Sequence, residues 1–304
     1  MISTVTENPV LPRRPADGHK GTFGTVCVVG GSTAGVQRML GAPALAAMGA
    51  LRAGCGLVKI AAPEPIVSQV ISLASSATGI ALDVNDQGEI EGHLAAALID
   101  KQAALAECLV VGPGLGNCAG VRALVLRAVQ KDDTPLVLDA DGLNAMSEIV
   151  EIQRDFRAPA IVTPHPGEYA RLAKSLALSS NPVDPESRCA AAAELAQRIG
   201  CIVVLKGAGT VVSDGLRVWT CNRGAACLAT AGTGDVLSGV IGGLVAQFFA
   251  RKQLSLFDAA RAGVLVHAIA GEQWAANTHA SGGMLAEDLL PLIPGICESI
   301  RAEN

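Results

Sequence analysis

Asp235 stands where a glycine-rich loop is predicted to become a helix. Gly232, Thr233 and Gly234 precede it, and a long apolar run follows it. The amides of these three residues, here called the anion cradle, can turn inward around an anion at the positive end of the helix dipole. The dipole alone also explains an aspartate in a first turn, since it stabilises the carboxylate by about 0.3–1 kcal/mol. This segment by itself favours that explanation, although the carboxylate could also accept the proton of a hydroxyl that attacks a phosphoryl group in the cradle.

Two further segments place reactive side chains at the ends of predicted strands. In residues 203–210, a strand delivers Lys206 into a glycine turn, where the backbone can approach a ligand closely. A lysine exposed to water at a strand end is the more ordinary explanation of that pattern. In residues 163–168, His165 lies between two prolines, and Glu168 follows three residues later. A lone histidine is more often structural, but the proline-fixed backbone favours a binding role here as much as a structural one.

Neither of the two common phosphate-binding motifs is present. Gly30 and Gly35 have the spacing of a P-loop, but no lysine follows Gly35, so nothing would reach the phosphates. The glycines of residues 112–116 are spaced one residue too tightly for a dinucleotide fingerprint, and Asn117 stands where its third glycine belongs. The sequence therefore supports neither a P-loop NTPase nor a standard Rossmann dehydrogenase.

The elements that must position these residues alternate between short β-branched runs and longer Ala/Leu-rich runs. This alternation predicts an α/β fold with a mostly parallel central sheet and helices on both faces. Tight turns within 201–220 predict antiparallel pairing at that edge, and ligands are expected beyond the carboxyl ends of the strands. Strands are predicted at 25–31, 56–62, 107–116, 135–143, 159–168 and, as two or three strands, within 201–220; helices are predicted at 41–54, 63–73, 121–130, 185–199, 234–250, 257–276 and 284–301.

Composition limits the compartment and the partners. Residues 1–18 are interpreted as a polar lead-in, and residues 19–304 as a single domain. The net charge of −5, with scattered basic residues, argues against nucleic acid or an acidic membrane as a partner. Nine cysteines without a C-x-x-C pair favour a reducing cytoplasm. No secretory signal is recognised at the N-terminus, and the apolar run at 236–250 is shorter than the ~20 residues that span a bilayer.

Seven blocks, taken together and in order, resemble the NAD(P)H-hydrate dehydratase family, whose members are ADP- or ATP-dependent enzymes with a ribokinase-like fold. The resemblance covers nearly the whole chain from about residue 18 onward. The blocks are HKGTFGTVCVVGGS (19–32), MLGAPALAAMGALRAGCGLVKI (39–60), VVGPGLG (110–116), LVLDADGLN (136–144), TPHPGEYARL (163–172), LKGAGTVV (205–212) and ATAGTGDVLSGVIGGLVAQ (229–247).

The resemblance implies a role for each matching residue. Asp235 would contact the substrate and act as the base, and Glu168 would help to position Mg²⁺ through water. ADP or ATP would donate a phosphoryl group to the ring hydroxyl of hydrated NADH or NADPH, and loss of phosphate would restore the ring double bond. The family also implies a homo-oligomer. The nucleotide would lie along Lys206, Gly207, Ala208, Gly209, Thr210 and Gly234, and the hydrate near Ala42, Gly114 and His165.

Two alternatives remain open at this point. The first is a kinase of the same fold that phosphorylates a small hydroxymethyl vitamin precursor; the blocks at 163–168 and 110–116 favour the dehydratase instead. The second is a nucleotide-binding sensor without activity, suggested by residues 224–230, which depart from the pattern expected for the family. Ala231 also replaces an expected glycine, and it would strain the loop if its φ were positive.

Overall fold

The computed structural model describes residues 2–36 and 38–302, and within these residues the chain forms one ten-stranded sheet flanked by helices. The strands are β1 Ser3–Thr4, β2 Thr25–Val29, β3 Leu57–Pro63, β4 Thr78–Leu82, β5 Cys108–Val111, β6 Leu136–Leu138, β7 Ala160–Val162, β8 Ile202–Leu205, β9 Thr210–Ser213 and β10 Arg217–Cys221. The α-helices are α1 Gly41–Ala53, α2 Glu64–Leu73, α3 Gly92–Ala103, α4 Ala119–Val129, α5 Asp141–Glu148, α6 Pro166–Leu176, α7 Arg188–Ile199, α8 Thr233–Phe248, α9 Leu256–Thr278 and α10 Ile293–Ser299.

The sheet runs in the order β1-β10-β9-β8-β7-β6-β5-β2-β3-β4. Pairing is parallel except at β9, which is antiparallel to both β8 and β10. The prediction of a mostly parallel sheet with antiparallel pairing at 201–220 is therefore confirmed. The parallel pairs join strands separated by helices, as crossover connections require.

Two apolar cores cover the two faces of the sheet. Along β2, Val26 and Val28 belong to one core, while Cys27 and Val29 belong to the other, because successive side chains of a strand point to opposite faces. The first core is completed by α1, α2, α8, α9 and α10, and the second by α3, α4, α5, α6 and α7. No helix of residues 2–36 and 38–302 is both long and apolar enough to cross a membrane.

Helices α1 and α8 pack unusually closely, and this contact fixes the helix that begins at the anion cradle. A Cβ at Gly239 would lie 1.9 Å from the carbonyl oxygen of Ala46, and a Cβ at Gly243 would lie 2.6 Å from that of Ala50. Only glycine allows such an approach of one helix backbone to another. The glycines of α8 therefore serve packing, which sets the position of its N-terminus.

Several predicted elements end earlier than expected. The strand predicted at 135–143 stops at Leu138, because the chain turns sharply into α5, and the strand predicted at 159–168 stops at Val162, before α6 begins at Pro166. The helix predicted at 284–301 is divided into a 3-10 turn, Ala286–Leu289, and α10. Pro291 lies between the two pieces and offers no backbone N–H to a continuous helix.

The predicted lead-in contacts the domain along its length. β1 pairs in parallel with β10, and Leu11 is fully buried beside Arg301. The Arg14 guanidinium donates a hydrogen bond to the carbonyl oxygen of Gly54 at 2.6 Å and stacks over the ring of Phe23 at 3.6 Å. These contacts tie the N-terminal segment to the sheet and to the end of α1.

Candidate active site

The anion cradle lies at the N-terminus of α8, as the glycine pattern predicts. Gly232 has φ +90° and caps the helix, and a Cβ there would lie 2.7 Å from Leu45 Cδ1, so only glycine suits this position. The Thr233 hydroxyl donates to the carbonyl oxygens of Leu228 and Thr230, both at 2.9 Å, which fixes the loop that enters the helix. Ala231 is not among the residues with positive φ, so it places no strain on this loop.

His267 supports the cradle from α9. Its Nε2 lies 2.9 Å from the carbonyl oxygen of Thr233. Burial lowers the pKa of His267 to about 4, so the ring is neutral near pH 7, and Nε2 must carry the proton because a carbonyl only accepts. Sequence reasoning missed this residue: a single histidine inside an apolar helix gives no signal of a partner 34 positions away.

Lys206 joins the cradle to two buried carboxylates. Its Nζ lies 2.7 Å from Asp139 Oδ1 and 3.8 Å from Glu168 Oε2, and it would lie 3.5 Å from a Cβ at Gly234. Asp139 is 1% exposed and Glu168 is 5% exposed. Burial lowers the pKa of Lys206, but the two carboxylates raise it above its ordinary value, so the ammonium is charged. Sequence reasoning placed Lys206 and Glu168 in the site but did not single out Asp139.

Hydrogen bonds from the Arg188 side chain hold the start of the turn that contains Lys206. The Arg188 Nη2 donates to the carbonyl oxygens of Leu205 and Lys206 at 3.1 and 3.2 Å. Gly207 has φ +140° and Gly209 has φ +66°, which the tight turn requires. The Arg188 hydrogen bonds and the two glycines therefore fix the backbone conformation of the turn at 207–210.

His165 and Glu168 cap helix α6 together. The His165 Nδ1 accepts from the backbone N–H groups of Gly167 and Glu168 at 2.9 and 3.4 Å, and Glu168 Oε2 accepts from the His165 N–H at 2.7 Å. Burial and the nearby Lys206 ammonium lower the pKa of His165. The neutral ring thus carries its proton on Nε2, which lies 3.4 Å from Glu168 Oε1, and the His165 side chain is half-exposed. The structural and the binding interpretations of His165 both fit this geometry.

The two acids nearest the cradle have near-neutral pKa values. Burial, reinforced by the charge of Asp139, raises the pKa of Asp235 to about 7, while Lys206 opposes the shift. Burial also raises the pKa of Glu168 to about 7. A carboxylate of this kind is a stronger base than an exposed aspartate and still ionises at neutral pH.

Ala42 and Gly114, which were predicted near the substrate, lie against each other. A Cβ at Gly114 would lie 3.2 Å from Ala42 Cβ and 3.0 Å from Met39 Cβ. Gly114 has φ +65°, and the same loop ends at Gly116, whose N–H donates to Asp141 at 2.8 Å. The start of α1 and the loop after β5 are thus in direct contact, and both Ala42 and Gly114 are buried there.

A pocket of about 870 Å³ opens beside the cradle. Glu272 of α9 anchors its outer loop, since it accepts from Arg223 Nε at 2.8 and 2.9 Å and from the Gly224 N–H at 2.8 Å. All the residues predicted to bind nucleotide line this pocket, together with His165; the lining does not include Ala42, Gly114, Glu168 or Asp235. The lining residues are His165, Lys206, Gly207, Ala208, Gly209, Thr210, Cys221, Asn222, Arg223, Gly224, Ala225, Ala226, Leu228, Ala229, Thr233, Gly234, Leu237, Val264, His267 and Ala268.

The carboxylates suit a divalent ion only as partners of bound phosphates. Across residues 2–36 and 38–302, no three His, Cys, Asp or Glu side chains are grouped so that they could hold a metal by themselves. Asp139 and Glu168 are both engaged by Lys206. Mg²⁺ commonly takes one or two carboxylates plus substrate phosphates and keeps several waters, and this donor set fits that pattern.

Comparison with known proteins gives a consistent result. A family model described as NAD(P)H-hydrate dehydratase matches residues 26–295. An ADP-dependent (S)-NAD(P)H-hydrate dehydratase from Neisseria meningitidis is 37% identical over 296 residues, covering 96% of this chain and 91% of that protein. Other curated relatives are bifunctional NAD(P)H-hydrate repair enzymes, and this chain spans about half of their length.

Solved structures agree in fold. An ADP/ATP-dependent NAD(P)H-hydrate dehydratase from Bacillus subtilis, co-crystallised with ATP and Mg²⁺, superposes with a TM-score of 0.75 at 28% identity, covering 96% of this chain and 95% of that one. A ribokinase-like superfamily protein from Enterococcus faecalis superposes with a TM-score of 0.77 at 20% identity, covering 98% and 96% of the two chains. The predicted ribokinase-like fold is thereby confirmed.

Proposed function

Because this chain belongs to the NAD(P)H-hydrate dehydratase family, we propose that it restores NADH and NADPH from their hydrated forms with ADP or ATP as phosphoryl donor. One observation carries the proposal: Asp235, a base with a pKa of about 7, directly follows the cradle amides, and the Lys206 ammonium lies beside Gly234. The arrangement places a proton acceptor and an anion site at the start of α8, with the Lys206 ammonium from the turn after β8 beside them. Phosphoryl transfer to a hydroxyl needs these three parts.

The reaction begins at the hydroxyl that hydration places on the reduced ring. Hydroxide is a poor leaving group, so the oxygen is first phosphorylated: Asp235 takes the hydroxyl proton, the new O–P bond forms, and the donor's terminal P–O bond breaks to release AMP or ADP. The C–O bond then breaks and phosphate leaves, while the adjacent carbon loses a proton and the ring double bond returns. The cradle amides stabilise charge on the transferring group, and one such donor contributes roughly 3–4 kcal/mol of barrier lowering.

We assign the nucleotide to the pocket beside the cradle. Lys206 and the turn 207–210 provide the phosphate side, and Leu237, Val264 and Ala268 give an apolar wall suited to a base. Mg²⁺ would neutralise phosphate charge, and Asp139 and Glu168 would hold it through water. The hydrate is assigned to the region near Ala42 and Gly114, with the His165 Nε2 proton as a donor.

Absorbance of the reduced nicotinamide band tests the proposal. Incubation with NADH hydrate or NADPH hydrate and either ADP or ATP should restore the band, and omission of nucleotide should abolish the recovery. If no combination restores absorbance, the proposal fails. The kinase alternative, which the family assignment supports less, would instead consume ATP with a hydroxymethyl precursor and leave a stable phosphorylated product. Nucleotide binding without either turnover would favour the sensor.

The dehydration rate should rise with pH through a midpoint near pH 7. Only the ionised form of Asp235 accepts a proton, and its raised pKa of about 7 keeps the carboxyl group protonated under acid conditions. Glu168 titrates in the same range, so the observed value belongs to the pair. A series of rates from about pH 5 to about pH 9, with nucleotide binding measured alongside, checks this; an acid limb centred below about pH 5 would contradict the assignment.

The variant Gly234→Ala should keep the fold and lose activity. An added Cβ would meet only Lys206 Nζ, at 3.5 Å, so the fold tolerates it, but the methyl group would stand where a phosphate approaches the cradle. We expect kcat/KM to fall about tenfold or more, since one oxyanion donor alone is worth about 10²–10³ in rate. Gly295→Ala is the matched control, because Gly295 also lies in the first turn of a helix, α10, away from the site, and its Cβ would meet nothing within 4 Å. If the two variants had equal kcat/KM values, the anion cradle would have no role in the reaction.

The compartment and the assembly state also belong to this proposal. Nine cysteines are free, seven of them buried, which supports a reducing compartment such as the cytoplasm. The predicted homo-oligomer stays a prediction, and light scattering of the purified protein tests it.

A further inference from the structure

Ala140 has a backbone conformation that normally belongs to glycine. Its φ is +50° and its ψ is −120°, and the Gly142 N–H donates to the carbonyl oxygen of Asp139 at 2.9 Å. These values describe the second residue of a type II′ turn, a position that usually requires glycine. An alanine there is strained by its Cβ, and such strain persists only where the surroundings hold the backbone in place.

The surroundings of the turn do hold it. The Asp139 N–H donates to the carbonyl oxygen of Val111 at 3.1 Å, and the Leu143 N–H donates to that of Ala140 at 3.0 Å. A Cβ at Gly112 would lie 1.8 Å from the Asp139 carbonyl oxygen, so β5 presses directly against the turn. The strained residue is thus fixed between the end of β6, the start of α5 and the neighbouring strand.

The two aspartates that flank Ala140 reach opposite halves of the site. Asp139 binds the Lys206 ammonium at 2.7 Å, on the side of the cradle and the pocket. Asp141 accepts from the Gly116 N–H at 2.8 Å, on the side of the loop that carries Gly114. Because both aspartates belong to one turn, the conformation of Ala140 sets the direction of each relative to the other.

We propose that Ala140 is a positioning residue, whose strained II′ turn aligns the Lys206 side of the site with the 112–116 loop. This role rests on the proposed function, in which the donor phosphate and the acceptor hydroxyl lie on these two sides. Alignment of two reactants is sensitive, since a displacement of about 1 Å can cost about 10²-fold in rate. The turn acts on catalysis only through the two aspartates.

Glycine at this position would relax the turn and at the same time free it to adopt other conformations. Ala140→Gly should therefore raise the stability of the fold while it loosens both aspartates. Ala177 offers a matched control: it also has positive φ, at +53°, but it lies at the C-terminal end of α6, about 18 Å along the helix from His165. Ala177→Gly relieves strain of the same kind outside the site.

Three measurements on the full chain test the proposal: melting temperature, amide hydrogen exchange across residues 112–118, and kcat with NADH hydrate and ADP. Both variants should melt about 2 °C or more above wild type. Only Ala140→Gly should speed exchange at Gly116 and lower kcat, by about tenfold or more, with the Kd for ADP changed less than about threefold.

The outcomes separate this inference from the proposed function. Exchange at Gly116 as slow as in wild type, a kcat within about twofold of wild type, or a lowered melting temperature in Ala140→Gly each overturns the positioning role. An inactive wild type counts against the proposed function instead, and the exchange and melting results then decide the role of Ala140 on their own.

Discussion

Asp235→Asn should lower the rate of nucleotide-dependent dehydration about 10³-fold, within the 10²–10⁴ that a positioned general base contributes. Asparagine keeps the size of the side chain and its place in the first turn of α8, but it cannot accept the hydroxyl proton. The Kd for ADP should change little, because the predicted nucleotide contacts come from Lys206, the turn 207–210 and Gly234. Absorbance recovery and calorimetry measure the two effects separately.

Two controls show whether the loss of activity comes from the lost base rather than from a general effect of Asp→Asn substitution or from unfolding. Asp86→Asn changes an exposed aspartate in the same way and should leave the rate at the wild-type value. The stability effect of Asp235 also has a defined sign. Its raised pKa stabilises the folded state at low pH, and this contribution is lost as pH rises through about 7. At about pH 8 Asp235→Asn should therefore melt at or above the wild-type temperature. Full activity in a folded Asp235→Asn variant would refute the role of Asp235 as the base, and a melting temperature below that of wild type at about pH 8 would contradict the sign of its stability effect.

Lys206→Met should lower kcat/KM about 10²-fold or more and weaken nucleotide binding. Methionine preserves the length of the side chain but removes the charge that lies beside Gly234, within 3.8 Å of two buried carboxylates. Removal of one partner from a buried ion pair costs about 3–5 kcal/mol of stability, because the remaining charge is left uncompensated. We therefore expect a lower urea midpoint together with the loss of activity, measured by denaturation and by absorbance recovery.

A second variant separates the stability loss from the functional loss. Adding Asp139→Asn to Lys206→Met removes the carboxylate nearer to the lost ammonium, at 2.7 Å against 3.8 Å for Glu168, so it should restore part of the urea midpoint and none of the activity. Lys59→Met is the matched control, since Lys59 is a half-buried lysine on β3 that donates to Gln102 at 3.4 Å. Should the double variant recover activity along with stability, Lys206 would be structural.

Much of the order of strands and helices could be predicted because the sequence signals are local, but the prediction did not place β1, β4, α3, α5 or α6. The β-branched runs that end in glycine or proline mark the carboxyl ends of the strands, and the glycine turns at 207–209 and 213–215 predict the antiparallel β9. The end of β6 could not be predicted in the same way. Ala140 carries no turn signal, because its II′ conformation is imposed by contacts from Val111, the last residue of β5, and from Gly112, which follows it.

The residues of the site also differ in whether a local sequence signal marks them. Residues in glycine- or proline-rich segments, such as the cradle, Lys206 and His165, could be named from the sequence. Asp139, Arg188 and His267 could not, because each acts through a buried polar contact with a residue distant in the chain: Lys206, Leu205 and Thr233 respectively. Burial turns these side chains into partners, and burial is a property of the tertiary structure.

The pairing of β1 with β10 has a consequence for synthesis of the chain. Ser3 and its partner Leu216 are 213 positions apart, so translation separates the emergence of the two strands by about 10–40 s. During that interval the first strand leaves the ribosome with nothing to pair with. It joins a sheet whose other nine strands can already be assembled, after closure of the longest loop in the ladder. We therefore expect β1 to be the last of the ten strands to dock during folding and, by the same entropy, the first strand that native-state proteolysis releases.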